Sequence, residues 1–196
     1  MPETPSTVLG PRFEEAFLLA NRLHTGHTRK AGEFPYVSHL LGVTALVLQD
    51  SGDEDEAIAA LLHDAAEDQG GEETLALIGE KFGRKIAEIV EECSDTFETP
   101  KPPWKERKEA HVAHLARAST SAHRVVLADK LHNARALLRE LRARGEAVWD
   151  LFKGGKEGML WYFHALHKVL GETNKGYLWE EFGRVIEEIE RVAGVV

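Results

Sequence analysis

Apolar residues recur at intervals of three and four along almost the whole chain, and nowhere do apolar and polar residues alternate long enough to build a half-buried strand. That periodicity predicts an all-α fold. It places helices near 11–25, 36–50, 53–69, 73–83, 84–95, 104–119, 121–142, 155–170 and 174–193. Turn chemistry marks the breaks: Pro35 opens the second helix, Gly52-Asp53 precedes the third, Gly70-Gly71 follows it, and Pro100, Pro102 and Pro103 separate the fifth from the sixth. Residues 1–10 read as a loose terminus and 11–196 as a single helical domain that includes the C-terminal helix 174–193. The stretch from Phe97 to Pro103 carries enough proline to act as a semi-rigid flap. A length of 196 residues with 43% hydrophobic content suits one core of ordinary size.

Charge narrows the partners. A formal net charge of -9 disfavours nucleic acid, whose binding needs a basic face, and it repels small anions at long range. An anionic substrate would need a local basic cluster, so an acidic shell with a basic mouth is expected. The single cysteine, Cys93, cannot pair within the chain, and no apolar run approaches the roughly 20 residues that span a bilayer. These features point to a reducing cytoplasm, no membrane and no nucleic acid. The C-terminal segment sets Leu178, Phe182, Val185, Ile186, Ile189 and Val192 against an acidic face; it suits packing on the core or on a second copy in a homo-oligomer.

Chemistry concentrates in three places. In the third predicted helix, Ile58, Leu61, Leu62 and Ala65 gather on one face, and His63, Asp64, Glu67 and Asp68 on the other. Alone, that acidic face could be merely solvated, although the small Ala59 and Ala60 leave room for close packing. Asp129 follows Val125 and Val126 on the same helix side, and a carboxylate among apolar groups must face a cation, either an arginine or a metal. His39 continues a stripe with Val43, Leu46 and Val47, where a lone histidine is commonly a hydrogen-bonded core residue. Two histidines and two aspartates together form a coherent N₂O₂ set for a divalent ion. The pairs His24/His27, His111/His114 and His164/His167 lack any further ligand cluster and read as surface or packing residues. There is no glycine-rich phosphate loop and no Gly-x-Ser-x-Gly elbow, and Cys93 sits in the unremarkable run Glu-Glu-Cys-Ser-Asp.

Taken in order, Arg29-Lys30-Ala31-Gly32, Pro35-Tyr36-Val37-Ser38-His39, Ala60 to Asp68, Phe82-Gly83, Glu106-Arg107-Lys108, Leu127 to Asn133 and Trp161-Tyr162-Phe163 resemble the HD-domain hydrolases of RelA/SpoT type. The resemblance is to the single-domain members in particular, the small alarmone hydrolases and the metazoan SpoT homologue, and spans roughly residues 12 to 170. It implies a helical HD-domain bundle in which His39, His63, Asp64 and Asp129 hold one Mn²⁺, a site that can take another divalent metal in crystals. It also implies that Glu67 and Asp68 position or activate the attacking water. Arg29 and Lys30 match residues lining the nucleotide site, Asn133 a ribose-side polar residue and Tyr162 an aromatic near the base, while Lys105 and Lys108 would help neutralise phosphate. The implied reaction removes the 3′-pyrophosphate of (p)ppGpp, giving GDP or GTP and pyrophosphate.

Two positions depart from the pattern: Trp104 and Gly158 stand where relatives carry phosphate-contacting basic residues, with Lys105, Lys153 and Lys156 nearby as substitutes. The chain is short for the synthetase and regulatory domains of long family members, so synthesis is not expected. Two other readings stay open. The same fold could act on an adenosine alarmone or the 2′-phosphate of NADPH, or it could be a catalytically silent nucleotide sensor.

Overall fold

The computed structural model describes residues 7–29, 34–173 and 175–195. Among these residues there is no strand, and the helices run α1 (Pro11–Leu23), α2 (Val37–Gln49), α3 (Glu54–Leu62), α4 (Ala65–Asp68), α5 (Glu72–Phe82), α6 (Arg84–Cys93), α7 (Trp104–Leu115), α8 (Thr120–Arg144), α9 (Gly155–Leu170) and α10 (Tyr177–Val192). A 3₁₀ segment, Gly145–Leu151, links α8 to α9; the periodicity did not anticipate it.

Local chemistry sets the ends. Pro11 opens α1, where its missing N–H costs nothing. Asp53 and Glu56 form a reciprocal capping box at the start of α3, each side chain accepting from the other's backbone N–H, at 2.8 and 2.9 Å. Ser119 caps α8 by accepting from the Ala122 amide, and Gly145, in the left-handed region at φ 63°, ends it. In the N-terminal segment, the Thr7 hydroxyl donates to the Gly52 carbonyl at 2.8 Å and the Gly10 amide donates to Glu54 at 2.5 Å. Residues 7–10 are thereby tied to the start of α3, while 1–6 lie outside the described residues.

The long helix α8 is the axis of the molecule. It packs against α2, α3, α6, α9 and α10 and buries Val125, Val126, Leu127, Ala128, Leu131, Leu137 and Leu141. From Ala122 to Leu131 most sides of the helix are buried, and beyond that an apolar stripe faces the core while arginines face solvent; each fully buried leucine there contributes about 1.5–3 kcal/mol. The C-terminal helix α10 buries Leu178, Phe182, Ile186 and Ile189 against α8 and α9. Of the two surfaces open to that apolar stripe, the core takes it.

One predicted helix is corrected. The segment 53–69 is not continuous but breaks at His63-Asp64, between α3 and α4. The cause is local: His63 Nδ1 lies 2.8 Å from the Ala60 carbonyl, the acceptor that a regular helix would offer to the Asp64 amide. A side chain inserted into the ladder in this way interrupts it.

Candidate metal centre

Three helices bring the ligand candidates together. His39 comes from the first turn of α2, His63 from the end of α3, Asp64 from the break, and Asp129 from the buried middle of α8. His39 Nε2 is 3.2 Å from Asp129 Oδ1 and 3.6 Å from Asp64 Oδ2; His63 Nε2 is 3.0 Å from Asp64 Oδ2 and 3.7 Å from Asp129 Oδ1. Donor atoms bound at about 2.0–2.2 Å to one ion would be separated by about 3.0–3.5 Å. Both imidazole Nε2 atoms are buried and lack a hydrogen-bond partner among the described residues, although carboxylate oxygens lie this near. The donors converge on one point instead of pairing off. His39, His63 and Asp129 form the metal-capable cluster among the described residues, their ligand atoms within 4.8 Å of one another. With relative exposures of 1%, 4% and 6%, these residues could not carry like charges unpaired. The set fits a divalent ion.

Neighbours orient each ligand. The Ala60 carbonyl can only accept, so His63 Nδ1 carries the proton and Nε2 faces the cluster. Tyr36 donates to Asp64 Oδ2 at 2.6 Å, Lys130 donates to Asp129 Oδ2 at 2.6 Å, and Asn133 donates to Asp129 Oδ1 at 2.5 Å. Burial opposes charge on all of these groups. Even so, Asp64 and Asp129 hold the His63 pKa well above the usual imidazole range, His63 holds the Asp64 carboxyl well below its own, and Lys130 and the two histidines do the same for Asp129.

The two acids one turn on diverge. Asp68 is pushed up to about 6 by burial and by the charges of Asp64 and Glu67. Glu67 turns away, accepting from Lys101 at 2.8 Å and from the Asp95 amide at 3.1 Å. It opens a polar group in which Asp95 binds Arg107, and Lys108 at 2.7 Å, between α6 and α7. Glu67, Asp68, Thr96, Phe97 and Lys101 line a cleft of about 480 Å³, so the proline-containing loop forms one of its walls.

The remaining site candidates are distributed around this centre. Arg29 donates to Asn133 Oδ1 and lies over the Tyr36 ring, 5.6 Å from its centroid. Lys108 lies 4.8 Å from the centroid of Tyr162, and Lys130 lies 5.9 Å from it on the same residue. Tyr162 is 4% exposed; it offers this basic group the face of its ring, and its buried hydroxyl has no hydrogen-bond partner among the described residues. Lys105 sits over the Trp161 ring and is exposed. Lys30 lies outside the described residues.

The two departures from the family pattern are coupled. A Cβ on Gly158 would come within 3.0 Å of the Trp104 indole, and one on Gly154 within 2.6 Å, so the large ring fills what the small residues leave. Lys156 is not a substitute at the site, because its ammonium is held by the Ala193 carbonyl at 2.6 Å and by Glu146.

Among the described residues the competing histidine pairs gather no further metal-capable cluster. His24 stacks on Tyr36, His111 is buried near Tyr162, and His164 bonds Glu190 while His167 stacks on Trp179. The sequence reading assigned no role to Tyr36, Asp95, Lys101, Arg107, Lys130 and His132. Tyr36, Arg107, Lys130 and His132 lie inside the matched motifs, which was a usable signal; Asp95 and Lys101 carry none in the sequence.

Comparison with known proteins agrees with this geometry. The HD-domain family profile matches residues 16–160. The Xenopus tropicalis guanosine-3′,5′-bis(diphosphate) 3′-pyrophosphohydrolase MESH1 is 40% identical over 128 residues, 64% of this chain and 69% of that protein. The Homo sapiens MESH1 is 38% identical over the same shares. The Escherichia coli K12 bifunctional (p)ppGpp synthase/hydrolase SpoT is 34% identical over 93% of this chain, which spans only 26% of that longer protein. A solved structure of a metazoan ortholog of SpoT, described as hydrolysing ppGpp, superposes with a TM-score of 0.75 at 26% identity, covering 97% of this chain and 99% of that one. With the profile covering most of the chain and the ligand cluster in place, the chain belongs to the HD-domain family, in the MESH1 group of 3′-pyrophosphohydrolases.

Proposed function

We propose that this chain hydrolyses guanosine 3′,5′-bis(diphosphate) and its pentaphosphate to GDP or GTP and pyrophosphate, in the cytoplasm, with Mn²⁺ as the working metal. The observation that carries the reading is the buried donor cluster His39, His63 and Asp129, with the half-buried Asp64 against it, next to a carboxyl raised to about 6 and with lysines and arginines beyond it. His39, His63, Asp64 and Asp129 would hold the ion. Such an ion supplies acidification of water and neutralisation of phosphate charge.

The other steps belong to the chain's own residues. Water adds to the phosphorus bonded to the ribose 3′ oxygen, that P–O bond breaks, and the water proton passes to a carboxylate and from it, directly or through solvent, to the departing 3′ oxygen, which leaves as the hydroxyl. Asp68 takes that proton, since a base with a pKa near the working pH is the most effective. Glu67, its two oxygens held by Lys101 and the Asp95 amide, fixes its end of the cleft and would orient the same water by exchanging one of those partners for it. Lys108 and Lys105 meet the pyrophosphate, Asn133 the ribose, and Arg29 and Lys30 the base, with Tyr162 as an aromatic near the base. Phosphoryl transfer asks mainly for this kind of positioning and charge neutralisation.

The test is a substrate panel with saturating Mn²⁺: guanosine and adenosine alarmones and NADPH, with phosphate and pyrophosphate measured separately. Pyrophosphate released from (p)ppGpp, with little product from the others, is the expected result. Phosphate alone, or turnover only of NADPH, would overturn the assignment.

A further inference from the structure

We propose that His132 is the positioning residue that sets the tautomer of His39, and that position 42 is glycine to make room for it. The inference rests on the reading of His39 as a metal ligand and adds a residue to that site.

A neutral imidazole carries one proton on one of two nitrogens, and only the bare nitrogen can bind a cation. For His63 the matter is closed, because its Nδ1 faces a carbonyl that can only accept. His39 differs. Its Nδ1 lies 2.9 Å from Nδ1 of His132, and that contact has room for a single hydrogen. If His39 supplies the hydrogen, its Nε2 offers a lone pair to the cluster; if His132 supplies it, Nε2 of His39 holds the proton and cannot ligate. Asp129 and Asp64, 3.2 and 3.6 Å from that Nε2, favour the proton there in the absence of a cation. A partner that accepts from Nδ1 is what tips His39 toward the ligating form. His132, from α8, is the group placed to accept.

Gly42 is the second, independent observation. It stands three residues after His39 on α2 and so shares its face. A Cβ built there would lie 2.4 Å from His132 Nε2 and 2.5 Å from its Cδ2. The glycine is in the middle of a helix, where alanine would be better by about 0.8–1 kcal/mol, and its backbone is not in the left-handed region. Nothing local asks for glycine; the ring of His132 does.

The experiment uses the full chain, with Mn²⁺ alone as probe for affinity and Zn²⁺ as a diamagnetic probe for nuclear magnetic resonance. Replacement of an outer partner of a metal-bound histidine weakens binding by about 10–100-fold. His132→Phe, which fills the ring space without an acceptor, and Gly42→Ala, which displaces the ring, should each raise the Mn²⁺ dissociation constant by that factor. His132→Asn, whose amide oxygen can stand where Nδ1 stood, should recover most of the loss. In the Zn²⁺ form the His39 Nδ1–H resonance should be present in the parent and in His132→Asn, and lost in His132→Phe. In a His132→Ala background, Gly42→Ala should add no further loss, since the two act on one contact. Parental Mn²⁺ affinity in both His132→Phe and Gly42→Ala overturns the proposal, provided His39→Ala loses the metal. If His39→Ala keeps its metal, the ligand reading fails first and takes this proposal with it.

Discussion

The two poles of the site are built differently. At the metal pole, His39, His63 and Asp129 are almost wholly buried, sit on helices, and have outer partners in His132, Ala60, Lys130 and Asn133. At the other pole, where we propose that the phosphates bind, Glu67, Asp95, Lys101, Arg107 and Lys108 pair with one another on the last turn of α4, the loop after α6 and the start of α7, with side chains from 5% exposed at Asp95 to 44% at Lys101. Charges buried deeply are costly unless their compensation is fixed in advance. Charges at a cleft edge can exchange a protein partner for a phosphate. On the proposed function, the metal pole is pre-organised and the phosphate pole holds its basic groups in reserve, each paired with an acid that a polyanion would displace.

The largest effect is expected at the metal pole. Asp129→Ala should abolish metal binding, checked by elemental analysis, and reduce hydrolysis to background. It also leaves the Lys130 ammonium without its partner, and breaking a mostly buried pair costs about 3–5 kcal/mol, visible in a denaturant melt. Equal metal content in variant and parent would make Asp129 a structural acid.

Next come the two acids of α4, Asp68 beside the metal pole and Glu67 at the other. Asp68→Asn and Glu67→Gln should keep metal and fold while lowering kcat by roughly 10²-fold or more, with less than additive effects in the double variant. Near-parental kcat in both would remove them from the reaction.

Asp68 also predicts a pH dependence. As the accepting base it works only when deprotonated, so with its carboxyl raised to about 6 the rate should fall by about tenfold per pH unit below that point. Asp68→Asn should flatten that limb. The sign for stability runs the other way. The folded state holds this proton more tightly than the unfolded chain, so the contribution is present at low pH and is lost as pH rises from 3.8 to about 6. A pH–rate profile and a pH–melting series check the two halves separately.

The smallest effect belongs to the phosphate pole. Lys101→Ala removes a half-exposed ion pair, which is worth about 0.2–1 kcal/mol, so stability should scarcely change while KM rises a few-fold and kcat falls less. A loss of stability comparable to that of Asp129→Ala would show that the poles are not built differently after all.

Much of this was legible in the residues. Periodicity located the helical segments apart from the 3₁₀ stretch Gly145–Leu151 and the break at His63-Asp64, turn residues such as Pro35 and Gly52-Asp53 marked several ends, and the matched motifs contained all four ligand candidates. These are local properties, set by the rise and turn of the backbone and by side chains within a few residues. The acidic face of the third helix was legible as composition only. In the structure the helix breaks at His63-Asp64, where the His63 side chain meets the Ala60 carbonyl, and of the four polar residues Asp64 lies against the cluster while Glu67 pairs with Lys101 and the Asp95 amide.

By itself, then, the sequence determined the helices, their amphipathic stripes and the spacing of His63, Asp64, Glu67 and Asp68. Only the tertiary structure decided the partners. Glu67 meets Lys101 across 34 residues, His39 meets His132 across 93, and Arg29 meets Asn133 across 104. It likewise matched Trp104 with Gly158, two departures from the family pattern that fit each other in space. The physical reason is that helix geometry follows from neighbouring residues, whereas the partner of a buried charge is selected by desolvation and packing. Those act only once α2, α3 and α8 have closed around the same point.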